Sequence, residues 1–319
     1  VILRAILIAA AALVTQAALA QAYPTRSVTL VVPYPPGGLI DLVARIVQPK
    51  LQAELGGTIV VENRSGAGGN VGAEAVARAA PDGYMLLMGN PSLALSQHIY
   101  PKLNYRPLQD FAYVGQYGTV PNVLLVHPSL PVKTVPELID YLRKNPGKLN
   151  YASNGYGTSP QMSMELLKGM TNTFIVHIPF RGSGPAVASL LSGETQLMFD
   201  NLPPVVGHIK SGKMRALAVT SLTRSQVMPE LPTLDEVGLK GYEVTAWFGI
   251  VAPAATPRET VMKINAALNR ATQDPQVRDN LTSRGANVIQ GTPEQFLAFV
   301  RNESDKWGPV VKRAGIVAD

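Results

Sequence analysis

The sequence predicts an α/β protein built as two lobes with a cleft between them. Three observations carry this. A chain of 319 residues is longer than one ordinary hydrophobic core supports. Short apolar runs alternate with helical patterns along it, the signature of parallel sheets covered by helices. Two extended apolar stretches that end at a proline, 119–128 and 245–257, have the form of crossings between lobes. Read so, domain 1 comprises residues 23–123 and 247–319 and domain 2 residues 124–246, with the C-terminal helices packing back on the first lobe. An apolar content of 46% is enough to offset the chain entropy of folding, which excludes a disordered protein.

Taken in order, residues 1–22 read as a signal peptide: Arg4, an apolar stretch over 5–14, then Ala18-Leu19-Ala20. Cleavage is expected near Ala20 or Ala22. The apolar stretch falls short of the ~18 residues of a spanning helix, so the mature chain is expected in the periplasm. Strand-type runs follow at 27–33, 58–62, 84–88, 123–127, 150–152, 174–178, 195–199, 214–220 and 244–251. Several are apolar on consecutive positions, as in strands buried on both faces. Leu39, Leu42, Val43, Ile46 and Val47 follow helical spacing, and Pro49 should stop or kink that helix. Thr134 with Glu137, Thr256-Pro257-Arg258-Glu259 and Thr292-Pro293-Glu294-Gln295 are capping-box patterns that open helices.

Composition removes several function classes. The chain has no cysteine, which excludes disulfide scaffolds, thiolate catalysis, cysteine metal sites and an acylated lipoprotein terminus. Its net charge is +6, yet the tightest basic clusters are the pairs Arg143-Lys144 and Lys312-Arg313. No basic stripe is interleaved with aromatics, so nucleic acid is not an expected partner. A diffuse positive field favours small anions instead. Gly66-Ala67-Gly68-Gly69-Asn70-Val71-Gly72 has valine where a dinucleotide fingerprint needs its third glycine, and no Gly-Lys-Ser/Thr phosphate loop occurs. Neither a Gly-x-Ser-x-Gly elbow nor a His-Glu-x-x-His pair is present. No cofactor and no metal are expected.

What remains is a set of glycine-rich turns between strands and helices. Val31-Val32-Pro33-Tyr34-Pro35-Pro36-Gly37-Gly38-Leu39-Ile40-Asp41 leaves a strand and enters a helix. Its prolines fix the turn, and its glycines lack the Cβ atoms that keep a ligand off the backbone. The free N–H groups of the following helix suit a carboxylate or phosphate. A tight βα turn holding no ligand has the same pattern. Ala152-Ser153-Asn154-Gly155-Tyr156-Gly157-Thr158-Ser159 is a second such turn, and Pro179-Phe180-Arg181-Gly182-Ser183-Gly184-Pro185 a third. Asp200-Asn201, at the end of another strand run, adds a polar pair. Together they place polar groups at the carboxyl ends of several strands, where open α/β sheets bind ligands.

Along the whole mature chain these segments resemble the Bug family, extracytoplasmic solute-binding proteins of tripartite tricarboxylate transporter type. The resemblance runs through the Val32–Asp41 turn, Val61-Glu62-Asn63-Arg64, Pro81-Asp82-Gly83-Tyr84 and Gly155-Tyr156-Gly157-Thr158-Ser159. It continues in Pro179-Phe180-Arg181-Gly182 and Trp247-Phe248-Gly249-Ile250-Val251-Ala252-Pro253. It implies a Venus-flytrap, type II-like periplasmic-binding fold with two parallel-rich sheets and a central cleft. The implied function is capture of a small mono- or dicarboxylate, which includes aromatic and amino acids, for a tripartite tricarboxylate transporter or a sensor kinase. The carboxylate would be held chiefly by main-chain amides and small hydroxyls, in a monomer. Carried over by motif, the first lobe supplies Tyr34, Pro35, Gly37, Gly38 and Asp41, with Asn90 and Ser92 nearby. The second supplies Gly155, Gly157, Thr158, Ser159, Arg181, Gly182 and Asp200. Leu39-Ile40 depart from the small or polar residues of the family, and Thr158 stands where serine is common. The alternative from another class is a secreted α/β serine hydrolase using Ser159 with a histidine and Asp200.

Overall fold

The run of buried residues at 28–32 forms β1 (Val28–Val32), at the centre of a parallel trio with β2 (Ile59–Asn63) and β3 (Met85–Gly89) in the computed structural model. That model describes residues 23–318, so the signal-peptide expectation lies outside the described residues. A second parallel group sets β5 (Asn150–Ser153) between β6 (Val176–Pro179) and β7 (Leu197–Asn201). Two long strands join the groups. β4 (Phe111–Val126) pairs over its first part with β9 (Thr245–Pro253) and over its second with β7 and β8 (Arg215–Val219), all antiparallel. β9 continues onto β3, and the short β10 (Asn287–Val288) adds to β4. The strand order is β2-β1-β3-β9-β4-β7-β5-β6, with β8 and β10 on β4.

Two expectations change here. The sheets are parallel only within each trio; the crossing strands run antiparallel to their neighbours. The first part of β4 escapes sequence reading because its register slips between Tyr113 and Gly115 and again between Gln116 and Gly118. Each bulge inverts the apolar alternation that marks a strand. Phe174, expected in the β6 run, is 58% exposed and precedes the strand.

Ten α-helices of the described residues cover these sheets. α1 (Leu39–Leu55) buries Leu39, Val43, Val47, Leu51 and Leu55 and runs through Pro49. Pro49 lies on the exposed face, where water can serve the carbonyl that the proline leaves unbonded. α2 (Asn70–Ala77) and α3 (Ser92–Ile99) follow in the same lobe. α4 (Val135–Lys144), α5 (Ser159–Thr171), α6 (Ser183–Ser192) and α7 (Leu202–Lys210) belong to the other. α8 (Arg258–Gln273), α9 (Pro275–Thr282) and α10 (Pro293–Ala314) close the chain.

Thr134 accepts from Glu137 N as its pattern predicts, and Thr292 forms a complete capping box with Gln295. Thr256 does not cap α8: the helix starts at Arg258, and the buried Thr256 hydroxyl has no partner among the described residues.

α8 and α9 pack on the first lobe, where Val261, Ile264 and Leu281 join Leu30, Val43 and Phe248. α10 does not stay there. It buries Phe296 and Val300 with Leu87 and Trp247, then Trp307 and Val311 with Leu124 and Tyr151 of the other lobe. The two cores are thereby stapled along one side. No helix among the described residues is long and apolar enough to cross a membrane.

Candidate ligand-binding site

The helix starts differ by position. α4, α9 and α10 carry side-chain caps, from Thr134, Asp274 and Thr292. α1, α5 and α6 begin at Gly38, Thr158 and Gly182 with no side-chain cap hydrogen bond. Those three starts line one cavity of about 90 Å³ between the lobes, closed further by Tyr34, Asn90, Asn154 and Asn201. Leu39, Ile40, Pro160, Pro185 and Ala246 make its wall largely apolar. Among the described residues, no lysine, arginine, histidine, aspartate or glutamate lines it. Main-chain N–H groups and the dipoles of the helices that start at the cavity are what can attract an anion there.

Of the expected residues, Tyr34, Pro35, Gly38, Asn90, Thr158, Ser159 and Gly182 line this cavity. Gly155 and Arg181 line a second, wider space of about 650 Å³ that shares Tyr34, Pro35, Asn154 and Gly182 with the first. Gly37, Asp41, Ser92, Gly157 and Asp200 line neither.

The reasons are local. Asp41 turns back on its own loop: Oδ2 accepts from Gly37 N at 3.0 Å, and Oδ1 from Arg45 Nε and Asn63 Nδ2, each at 2.9 Å. Burial pushes its carboxyl up, but these hydrogen bonds outweigh it and hold the group below the ordinary aspartate value. Asn63 also donates to Tyr34 O at 3.0 Å, so one asparagine fixes both ends of the turn. Gly157 N donates to Gln161 Oε1 at 2.8 Å, and a Cβ on Gly157 would face Ile99 and Leu95 rather than the cavity. Ser92 is buried behind Asn90, whose Oδ1 accepts from Ser92 N at 3.0 Å.

Asp200 lies behind the wall, wholly buried. It accepts from Asn154 Nδ2 at 2.7 Å, Ser183 Oγ at 2.5 Å and Asn201 N at 2.8 Å. Burial pushes its carboxyl up to about 6 against the pull of those three bonds. Its neighbours Asn154, Ser183 and Asn201 are absent from the contacts expected by motif, yet all three line the cavity. They stand inside the polar turns, so position alone was a usable signal. Asn122 offered none. It sits in the buried part of β4 opposite Asn201 and takes 2.6 Å and 3.2 Å hydrogen bonds from Asn201 Nδ2 and Ser159 Oγ.

Ser159 Oγ thus lies between two amides, Asn122 and Asn201. Neither is a base able to take its proton. His177 instead pairs with Ser153, Nε2 to Oγ at 2.6 Å. The hydrolase alternative finds no histidine bonded to Ser159 among the described residues.

Residues 43–316 match the model of the tripartite tricarboxylate transporter family receptor, TctC. The chain belongs to that receptor family. Among its relatives, BugT of Bordetella pertussis is 37% identical over 93% of this chain and 91% of its own. Among solved structures, R. palustris Rpa4515 with adipate is 37% identical, covers 93% of this chain and all of its own (100%), and has a TM-score of 0.89. MatC of Rhodopseudomonas palustris, with bound malate, is 36% identical with a TM-score of 0.86, over 91% of this chain and 100% of its own. This TctC receptor therefore has the two-lobed solute-binding fold, and its uncapped helix starts fall between the lobes.

Proposed function

We propose that this TctC receptor captures a small carboxylate between its lobes and delivers it to the membrane subunits of a tripartite tricarboxylate transporter. One observation carries the reading: helix starts without side-chain caps surround a cavity that, among the described residues, has no ionised side chain in its lining. An anion there gains main-chain hydrogen bonds that each contribute about 1.5–3 kcal/mol. Relatives solved with adipate and malate support the same class. The first lobe is built on residues 23–123 and on 247 onward, with the end of α10 reaching the core of the second, residues 124–246, and the working compartment is the periplasm. The ligand meets Gly38, Thr158, Ser159 and Gly182 directly. Tyr34, Pro35 and Asn90 shape the wall; Gly37, Asp41, Gly157 and Asp200 hold the turns from behind.

Binding to both lobes favours the closed population, with no covalent step. The test is isothermal calorimetry against a panel of mono- and dicarboxylates. At least one is expected to bind with a Kd at or below the micromolar range; absence of heat and of a thermal shift across the panel would overturn the reading.

A further inference from the structure

Asn154 is held in one orientation by a buried carboxylate, and its other end is left unmatched. We infer that Asn154 sets the specificity of the carboxylate site by selecting ligands that carry a hydroxyl or ammonium donor beside the carboxylate. The inference rests on the carboxylate reading above.

A carboxylate accepts hydrogen bonds and cannot donate them. With Asp200 Oδ1 at 2.7 Å, the donor end of the Asn154 amide must face Asp200. Asp200 is itself pinned by Ser183 Oγ and Asn201 N, so it cannot turn to release Asn154. The amide oxygen is thus committed to the opposite side. There Asn154 Oδ1 is buried and has no hydrogen-bond partner among the described residues. The residue is 9% exposed and lines both the small cavity and the wider space.

A buried acceptor without a donor is unfavourable, and the ligand's own carboxylate cannot cure it, because that group also brings only acceptors. A hydroxyl or ammonium can. The donor must lie close to the carboxylate, since Asn154 O also receives the N–H of Gly182, the first residue of the α6 start. One main-chain hydrogen bond therefore ties Asn154 to the start of α6. This spacing fits 2-hydroxy- and 2-amino-carboxylates. Asp200 behind the amide strengthens Oδ1 as an acceptor by polarising it. Asp200 is in this account a positioning residue that acts through Asn154.

The experiment compares matched ligands by calorimetry at pH 7.5: succinate against each enantiomer of malate and of aspartate, and propionate against lactate and alanine. In the wild type the better donor-bearing member of at least one set is expected to bind tenfold tighter or more. Asn154→Ala should erase that preference, bringing the members of the set within about threefold of one another. Circular dichroism and thermal unfolding check that the variant is folded, and Asn154→Ser serves if it is not. Equal wild-type affinity within every set overturns the inference and leaves the carboxylate reading standing. A preference that survives in the folded variant overturns the assignment to Asn154. Failure of all these acids to bind sinks the carboxylate reading itself.

Discussion

Asp41 Oδ2 takes the main-chain N–H of Gly37 at 3.0 Å, so an amide that the glycine-rich turn offers to a ligand is already spent within the turn. The same carboxylate holds Asn63 and Arg45. What the ligand can use begins one residue later, at the uncapped start of α1.

Replacing Asp41 should therefore loosen the turn without removing any ligand contact. Asp41→Ala is expected to lower stability by about 2 kcal/mol, the scale of losing hydrogen bonds to a charged group. It should also weaken ligand binding about tenfold through Gly38. Urea unfolding and calorimetry measure the two effects. A variant with wild-type values for both would show that the turn needs no anchor.

Gly182 and Gly68 mark where the lobes approach each other. A Cβ on Gly182 would lie 3.2 Å from Pro35 Cδ, and one on Gly68 would lie 2.5 Å from Tyr156 O. Both have positive φ, +105° and +63°, which disfavours other residues. Gly68→Ala and Gly182→Ala should each keep the lobes apart and raise the Kd tenfold or more. Small-angle scattering with saturating ligand is expected to show a larger radius of gyration than the loaded wild type. Equal compaction would mean that neither contact limits closure.

His177 stacks on Tyr151 with ring centroids 4.6 Å apart. Burial, with Lys168 as a lesser influence, pushes its ring down from 6.5 to about 4. The native ring stays neutral where the unfolded one protonates, so stability is lost as pH falls from 6.5 towards 4. The full loss is roughly 3 kcal/mol. His177→Gln should remove that loss and make the variant less sensitive to acid than the wild type between pH 6.5 and 4, read by urea unfolding at a series of pH values. An unchanged slope would place the proton uptake elsewhere.

Asp200 works in the opposite direction. Its native value of about 6 lies above the ordinary 3.8, so the native state holds the proton more tightly. Its contribution is present in full below 3.8 and lost as pH rises through 6, roughly 3 kcal/mol in all. The two residues thus offset each other across much of the same window. Asp200→Asn should steepen the acid loss between pH 6 and 4, because the His177 effect then stands uncompensated. A shallower slope would contradict the assigned sign.

The alternation of strands and helices, the caps at Thr134 and Thr292 and the place of each polar turn are local properties, and they were legible residue by residue. Glycine-rich helix starts are likewise local, and they are what leads the sequence to predict an anion at the site. The long β4 was half hidden because its bulges break the alternation that betrays a strand.

Which amides stay free was not legible at all. Gly37 and Gly157 each lose theirs to a side chain four residues on, Asp41 and Gln161, and Gly182 loses its own to Asn154 O, while no side chain caps the starts at Gly38 and Thr158. Asp200 reads as a ligand contact along the chain, yet it sits behind Asn154, Ser183 and Asn201. Local sequence determined that donors and acceptors would gather at the strand ends. Tertiary structure decided which of them satisfy one another, because a hydrogen-bonding group is consumed by whatever the packed chain brings within 3 Å of it.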